Sequence, residues 1–160
     1  MNKAFFLDRD GVLNLDHLPY QHKMEDFEIL PDVVPALQKL RDAGFLLIVI
    51  SNQGGIAKGI YQHSDTQKLH DYFSAEMSKH GITIDAYYYC PHHPNVGKCI
   101  CRKPDSVMLE KAMARYNVDP KQSYFIGDMD RDIEAGEKAG VNTIQMRANT
   151  SLLKAISHIN

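Results

Sequence analysis

The stretch Phe5–Asn14, FFLDRDGVLN, carries the densest information in the chain. An apolar run ends in two carboxylates, Asp8 and Asp10, one residue apart, with Gly11 directly after them. Two carboxylates that close repel each other unless a positive charge sits between or beside them. A buried strand that ends by aiming them at a cleft makes a cation site. With an aspartate available as nucleophile it also makes a site for phosphoryl transfer.

Working outward, apolar runs alternate with helical patterns. Ala4–Leu7 reads as a short buried strand and Pro31–Ala43 as a helix, with Val33, Val34, Leu37 and Leu40 on one face, Pro31 in its first turn and Gly44 as its stop. Phe45–Ile50, FLLIVI, is a continuous apolar run suited to a strand covered on both faces. The pattern continues with a helix over 64–80, a strand over 86–89, a helix over 106–116, a strand over 124–126, a helix over 131–139, a strand over 141–146 and a short last helix over 151–156. Strands alternating with helices predict right-handed βαβ crossovers and a three-layer, Rossmann-like α/β fold with a mostly parallel sheet. Ligands bind such sheets outside the carboxyl ends of the strands. There the chain places Asp8 and Asp10, then Ser51, Asn52 and Gln53, then Gly127 and Asp128. Loops are polar in general, which accounts for one such cluster but poorly for three of this composition.

Bulk properties narrow the class. One domain over 1–160 is expected, large enough for its own core. Hydrophobic content of 44% and charged content of 24% are those of an ordinary globular protein. The net charge of -2 offers no basic excess for nucleic acid, and no apolar run approaches a membrane span. The N-terminus becomes charged too soon for a signal peptide, so a cytoplasmic location is expected. A monomer is expected, because no exposed apolar helix stripe stands out. Tyr87–Tyr89 read as strand packing, and His17, His22, His63, His70, His80 and His158 as surface residues.

The chemistry can be distributed over these residues. Mg²⁺ prefers hard oxygen ligands, and Asp8 and Asp128 can supply two carboxylates. Asp8 can then attack phosphorus in line, while Asp10 protonates the leaving oxygen and later deprotonates water. Ser51 and the backbone N–H groups of Asn52 and Gly11 can donate to the phosphoryl oxygens, and Lys103 offers them a compact charge. Asp132, four residues after Asp128, can hold a metal-bound water or pair with Lys103.

DRDGV at 8–12, Ser51, Lys103 and GDMDRD at 127–132 occur in the order of four motifs, and the chain thereby resembles the haloacid dehalogenase superfamily of phosphatases. The likeness runs from Phe5 to about Met146. It implies Asp8 as nucleophile, Asp10 as acid and base, and Mg²⁺ held by Asp8, Asp128 and the backbone carbonyl of Asp10. Only about 40 residues lie between Asp10 and Ser51, too few for a large cap domain.

All three cysteines lie in CPHHPNVGKCICRKP, residues 90–104, an odd count that argues for metal binding over a disulfide framework. Cys90, His92, Cys99 and Cys101 can close a tetrahedral, structural Zn²⁺ site directly before Arg102 and Lys103. The alternative is three reduced cysteines beside incidental histidines. His93 reads as a cleft or surface residue. The loop resembles that of two subgroups, the heptose 1,7-bisphosphate phosphatases and the histidinol-phosphate phosphatases. SNQGGIAKG, the paired histidines and the segment DHLPYQHKMEDFEILPDV favour the first. The resemblance then implies an anionic sugar phosphate as substrate, contacts from Asn52, Gln53, Arg102 and Lys103, and a place in nucleotide-heptose and lipopolysaccharide synthesis. Lys58 reads as a solvated lysine. Many heptose-type relatives carry a basic residue directly after the last-motif aspartate. Here that position is Met129, so the contact must be weakened or supplied elsewhere.

Overall fold

A computed structural model describes residues 1–160. Five strands, β1 (Lys3–Leu7), β2 (Phe45–Asn52), β3 (Ala86–Cys90), β4 (Tyr124–Gly127) and β5 (Asn142–Gln145), form one sheet in the order β3-β2-β1-β4-β5. Every pairing is parallel. The helices are α1 (Val33–Asp42), α2 (His63–Ser78), α3 (Val107–Tyr116), α4 (Asp130–Ala139) and the single turn α5 (Leu152–Ala155).

The period of two along the central strands sorts the core into two halves. Phe5 and Leu7 of β1, with Leu47 and Val49 of β2, face α1, α2 and α5. Ala4 and Phe6, with Ile48 and Ile50, face α3 and α4. Central strands covered on both sides must be apolar at every position, which explains the unbroken FLLIVI run. The chain winds from β1 outward through β2 to β3, then crosses back to β4 and out to β5. The winding direction therefore reverses between β1 and β4, and the crevice opens where their carboxyl ends diverge.

Several boundaries differ from the sequence reading. Pro31 is not in the first turn of α1, because Asp32 adopts a left-handed conformation (φ 68°) and the helix starts at Val33. Strand β2 runs on through Ser51 and Asn52, which pair with Tyr89 and Cys90 of β3. The start of the cysteine loop is thereby laid beside the end of β2. His70 is not a surface residue. It lies on the inner face of α2, 2% exposed, and stacks on Tyr87 at 4.3 Å. The three tyrosines pack on both faces of β3, Tyr87 against one half of the core and Tyr88 against the other. No helix is long and apolar enough to cross a membrane.

Candidate active site

The cleft is built on strand ends. Asp8 follows β1 directly, and its N–H donates to the Ile126 carbonyl of β4 (3.0 Å), so the two strands jointly fix its backbone. Lys103 reaches it from the far side of the sheet. Its Nζ lies 2.8 Å from Asp8 Oδ1 and 2.7 Å from Asp132 Oδ1, and donates to the Ile50 carbonyl at 3.0 Å. Lys103 and Asp132 are 2% and 1% exposed. Asp132 also accepts from the Met129 N–H through Oδ2 (3.1 Å), capping α4, so one carboxylate starts the helix and anchors the ammonium.

Asp8, Asp128 and Asp132 bring carboxylate oxygens within 4.8 Å of one another. Burial pushes the Asp8 carboxyl well above its usual range; Lys103 opposes this, while Asp132 and Asp128 add to it. Burial also raises Asp128, with Asp132 contributing. For Lys103, burial favours the neutral amine, but Asp8 and Asp132 outweigh it and hold the ammonium above its ordinary pKa. Three carboxylates around one ammonium leave a deficit of positive charge. A divalent cation beside Asp8 and Asp128 would fill that deficit, and no backbone N–H claims the Asp10 carbonyl as a possible further ligand. Gly11 has to lack a side chain here. Its φ is 84°, and a Cβ would fall 2.9 Å from Asp128 Oδ2. A Cβ on Gly127 would collide with the side chain of Asp132.

The residues at the end of β2 do more holding than reaching. Asn52 clamps the Lys103 backbone with both ends of its amide, Oδ1 accepting from the Lys103 N–H (3.0 Å) and Nδ2 donating to its carbonyl (3.1 Å). Gln53 donates to Ser51 Oγ (2.7 Å) and accepts from the Tyr61 hydroxyl (2.6 Å). Asn52 and Gln53 both line the cleft, whereas Ser51 is buried behind them at 1% exposure.

Cys90, His92, Cys99 and Cys101 also converge within 4.8 Å. Tetrahedral Zn–S bonds of about 2.3 Å imply sulfur–sulfur edges of about 3.8 Å. Cys90 and Cys99 match at 3.7 Å, and His92 Nδ1 lies 3.5 Å from Cys90 Sγ and 3.3 Å from Cys101 Sγ. Cys90 and Cys101, at 2.9 Å, are closer than that edge. Burial and the hydrogen bond with Cys101 push the Cys90 thiol well up, a penalty that a dication would remove. The loop then delivers Arg102, whose Nη1 donates to the His92 carbonyl (3.1 Å).

The cleft, of about 490 Å³, is lined by groups of both charges. Asp8, Asp10, Asp16 and Asp128 are its acids; Lys58, Arg102 and Arg131 line it as well, with His93. None of these three cations is engaged in an ion pair. Burial lowers the Arg102 pKa, and Arg131, which lines the same cleft, lowers it further by repulsion. Lys58 is exposed as expected, but its ammonium sits 5.6 Å from the Tyr20 ring at the cleft edge. Sequence reasoning missed Arg131. The available signal was its place in the first turn of α4, two residues beyond Met129.

Comparison with known proteins accords with this geometry. A family model described as HAD-hydrolase-like matches residues 100–158. The D-glycero-beta-D-manno-heptose-1,7-bisphosphate 7-phosphatase of Haemophilus ducreyi is 43% identical over 147 residues, covering 88% of this chain and 80% of the relative. The D-glycero-alpha-D-manno-heptose-1,7-bisphosphate 7-phosphatase of Photorhabdus laumondii is 42% identical, covering 87% and 79%. The crystal structure of the D,D-heptose 1,7-bisphosphate phosphatase from B. bronchiseptica, complexed with magnesium and phosphate, superposes with a TM-score of 0.85 at 30% identity, covering 98% of this chain and 86% of that one. A parallel sheet carrying Asp8 and Asp128 at its switch point, together with relatives this similar over most of their length, establishes that the chain belongs to the haloacid dehalogenase-like phosphatases, as a phosphoric monoester hydrolase of the group that includes the heptose-bisphosphate phosphatases.

Proposed function

We propose that this enzyme removes the 7-phosphate of D-glycero-D-manno-heptose 1,7-bisphosphate through a phosphoryl group carried on Asp8. The observation that carries the reading is the charge of the cleft: beside the Asp8–Lys103 pair it is lined by three cations, Lys58, Arg102 and Arg131, that no carboxylate engages. A bisphosphate has a second anion for them. Histidinol phosphate would instead bring its ammonium toward Arg102 and Arg131, where like charges repel.

In this reading Asp8 attacks phosphorus while Lys103, held by Asp132, favours its ionised form against burial and orients it. Asp10 gives a proton to the leaving sugar oxygen, then takes one from the water that hydrolyses the acyl phosphate. Mg²⁺ held by Asp8, Asp128 and the Asp10 carbonyl would neutralise the phosphoryl oxygens and polarise phosphorus toward attack. Ser51 supports the phosphoryl pocket through Gln53, and Asn52 sets the height of Lys103. Zn²⁺ on Cys90, His92, Cys99 and Cys101 would hold the loop that presents Arg102, a structural role. Arg102, Arg131 and Lys58 receive the second phosphate, with Arg131 supplying the charge that Met129 does not. The expected setting is a cytoplasmic monomer in nucleotide-heptose supply for lipopolysaccharide, with no nucleic-acid or membrane partner.

The test is phosphate release with Mg²⁺ from the α and β anomers of the heptose bisphosphate and from histidinol phosphate. A large kcat/KM advantage for one heptose anomer supports the reading, and preference for histidinol phosphate overturns the substrate. Asp8→Asn should abolish turnover with the fold intact, and retained turnover removes the nucleophile. Arg131→Ala should cost roughly 10- to 100-fold in kcat/KM on the bisphosphate, the loss of one charge-assisted contact, and little on a monophosphate.

A further inference from the structure

Arg9 stands between the two motif aspartates and is 2% exposed. A buried guanidinium is costly unless its partners are well placed. Its Nε donates to Asp10 Oδ1 at 3.1 Å, and its Nη2 lies 3.0 Å from the same oxygen. Nη2 also donates to the Gln21 carbonyl at 2.7 Å. Asn14, fully buried, adds a second hydrogen-bond donor to that oxygen, Nδ2 to Asp10 Oδ1 at 2.9 Å. Asn14 is itself fixed by backbone bonds, its carbonyl accepting from Gly11 (2.8 Å) and its N–H donating to Arg9 (3.3 Å).

All three nitrogens thus lie against Oδ1, two of them as hydrogen-bond donors. An arginine that merely neutralised an aspartate would spread its fork over both oxygens. Here both nitrogens converge on one, and an asparagine joins them. An oxygen whose two lone pairs each accept a hydrogen bond, with a guanidinium nitrogen 3.0 Å away, leaves Oδ2 as the oxygen free to carry a proton. Asp10 lines the cleft, and Gln21, the other end of the Arg9 contact, lines it too.

We propose that Arg9 and Asn14 are positioning residues for proton transfer: by occupying Oδ1 of Asp10 they fix the carboxyl so that Oδ2 is the oxygen turned to the leaving group of the ester. This rests on the proposed acid role of Asp10. The bond from Asp8 to phosphorus forms as the bond from phosphorus to the sugar oxygen breaks, and the Oδ2 proton passes to that oxygen, so the product leaves as an alcohol. Arg9 also ties the orientation of Asp10 to the loop carrying Tyr20 and Gln21, which forms one wall of the cleft.

A leaving group that needs no proton separates this role from a structural one. The experiment compares kcat/KM, which reports formation of the phosphoryl enzyme, for the heptose bisphosphate and for 2,4-dinitrophenyl phosphate. Asp10→Asn should lose on the order of 100-fold or more on the sugar ester and about tenfold or less on the aryl ester. Arg9→Met, an apolar replacement of similar length, should lose roughly 10- to 100-fold on the sugar ester and about threefold or less on the aryl ester. Asn14→Ala should show the same asymmetry with a smaller loss, and it carries the test if Arg9→Met does not fold. Equal losses on both esters for Arg9→Met and Asn14→Ala, with the asymmetry kept in Asp10→Asn, overturn the proposal alone. Equal losses for Asp10→Asn overturn the acid role of Asp10 and the proposal with it.

Discussion

Replacing His70 with phenylalanine should make the protein markedly less sensitive to mild acid. The imidazole lies between Tyr87, stacked at 4.3 Å, and Tyr89, edge-on at 5.8 Å, and its Nε2 has no hydrogen-bond partner. Burial and, secondarily, the Arg9 guanidinium lower its pKa to about 3. In the unfolded chain the same histidine titrates near 6.5. Below that pH the unfolded state takes up a proton that the native state refuses until about pH 3. Stability from this group is therefore complete above pH 6.5 and falls as the pH drops, by about 1.4 kcal/mol per pH unit. Between pH 7 and pH 5 the loss is about 2 kcal/mol. Phenylalanine has a similar shape, keeps the aromatic contacts and cannot titrate. Urea unfolding of both proteins at the two pH values isolates the effect, because acid release of a metal from the cysteine loop is common to both. The wild type should lose about 2 kcal/mol more than the variant. Equal losses would mean that His70 is protonated in the native state, and the buried, unpartnered ring would be refuted.

Lys103→Met should lower stability by about 3–5 kcal/mol, since Asp8 and Asp132 would be left buried without their cation. Adding Asp132→Asn should recover part of that loss in thermal unfolding without restoring turnover. Cys99→Ser should lower bound zinc and Tm together, and metal analysis of the purified protein checks whether the content falls in step with stability. Gly127→Ala should cost more than about 1 kcal/mol, because the new methyl meets the Asp132 side chain that caps α4 and holds Lys103. Its signature should be a joint fall in Tm and kcat.

The chain's own pattern was enough to read a parallel α/β sheet, because a strand buried on both faces admits no polar break and FLLIVI has none. The carboxylates at strand ends and the four-ligand loop were legible for a related reason. Metal and phosphate chemistry demand particular side chains at short spacings, so Asp8 with Asp10, and Cys90 with His92, announce themselves locally. Other features depended on contacts far apart in sequence. His70 looks like one more scattered histidine until α2 turns it onto Tyr87. Nothing near Asn52 in sequence shows that its amide also clamps the backbone of Lys103, 51 residues away.

What the sequence determined by itself is the set of reactive groups, their order along the chain and the sheet that bears them. Tertiary structure decided which groups share a charge and which hold others in place. Lys103 becomes the common partner of Asp8 and Asp132 because the doubly wound sheet brings three strand ends together. Arg131, in the first turn of α4, lines the same cleft as Arg102 of the cysteine loop. The physical reason is range. Periodicity and motif spacing are set by backbone geometry over a few residues, whereas burial, ion pairing and the presentation of one oxygen of Asp10 depend on distances of a few ångströms between segments that only folding brings together.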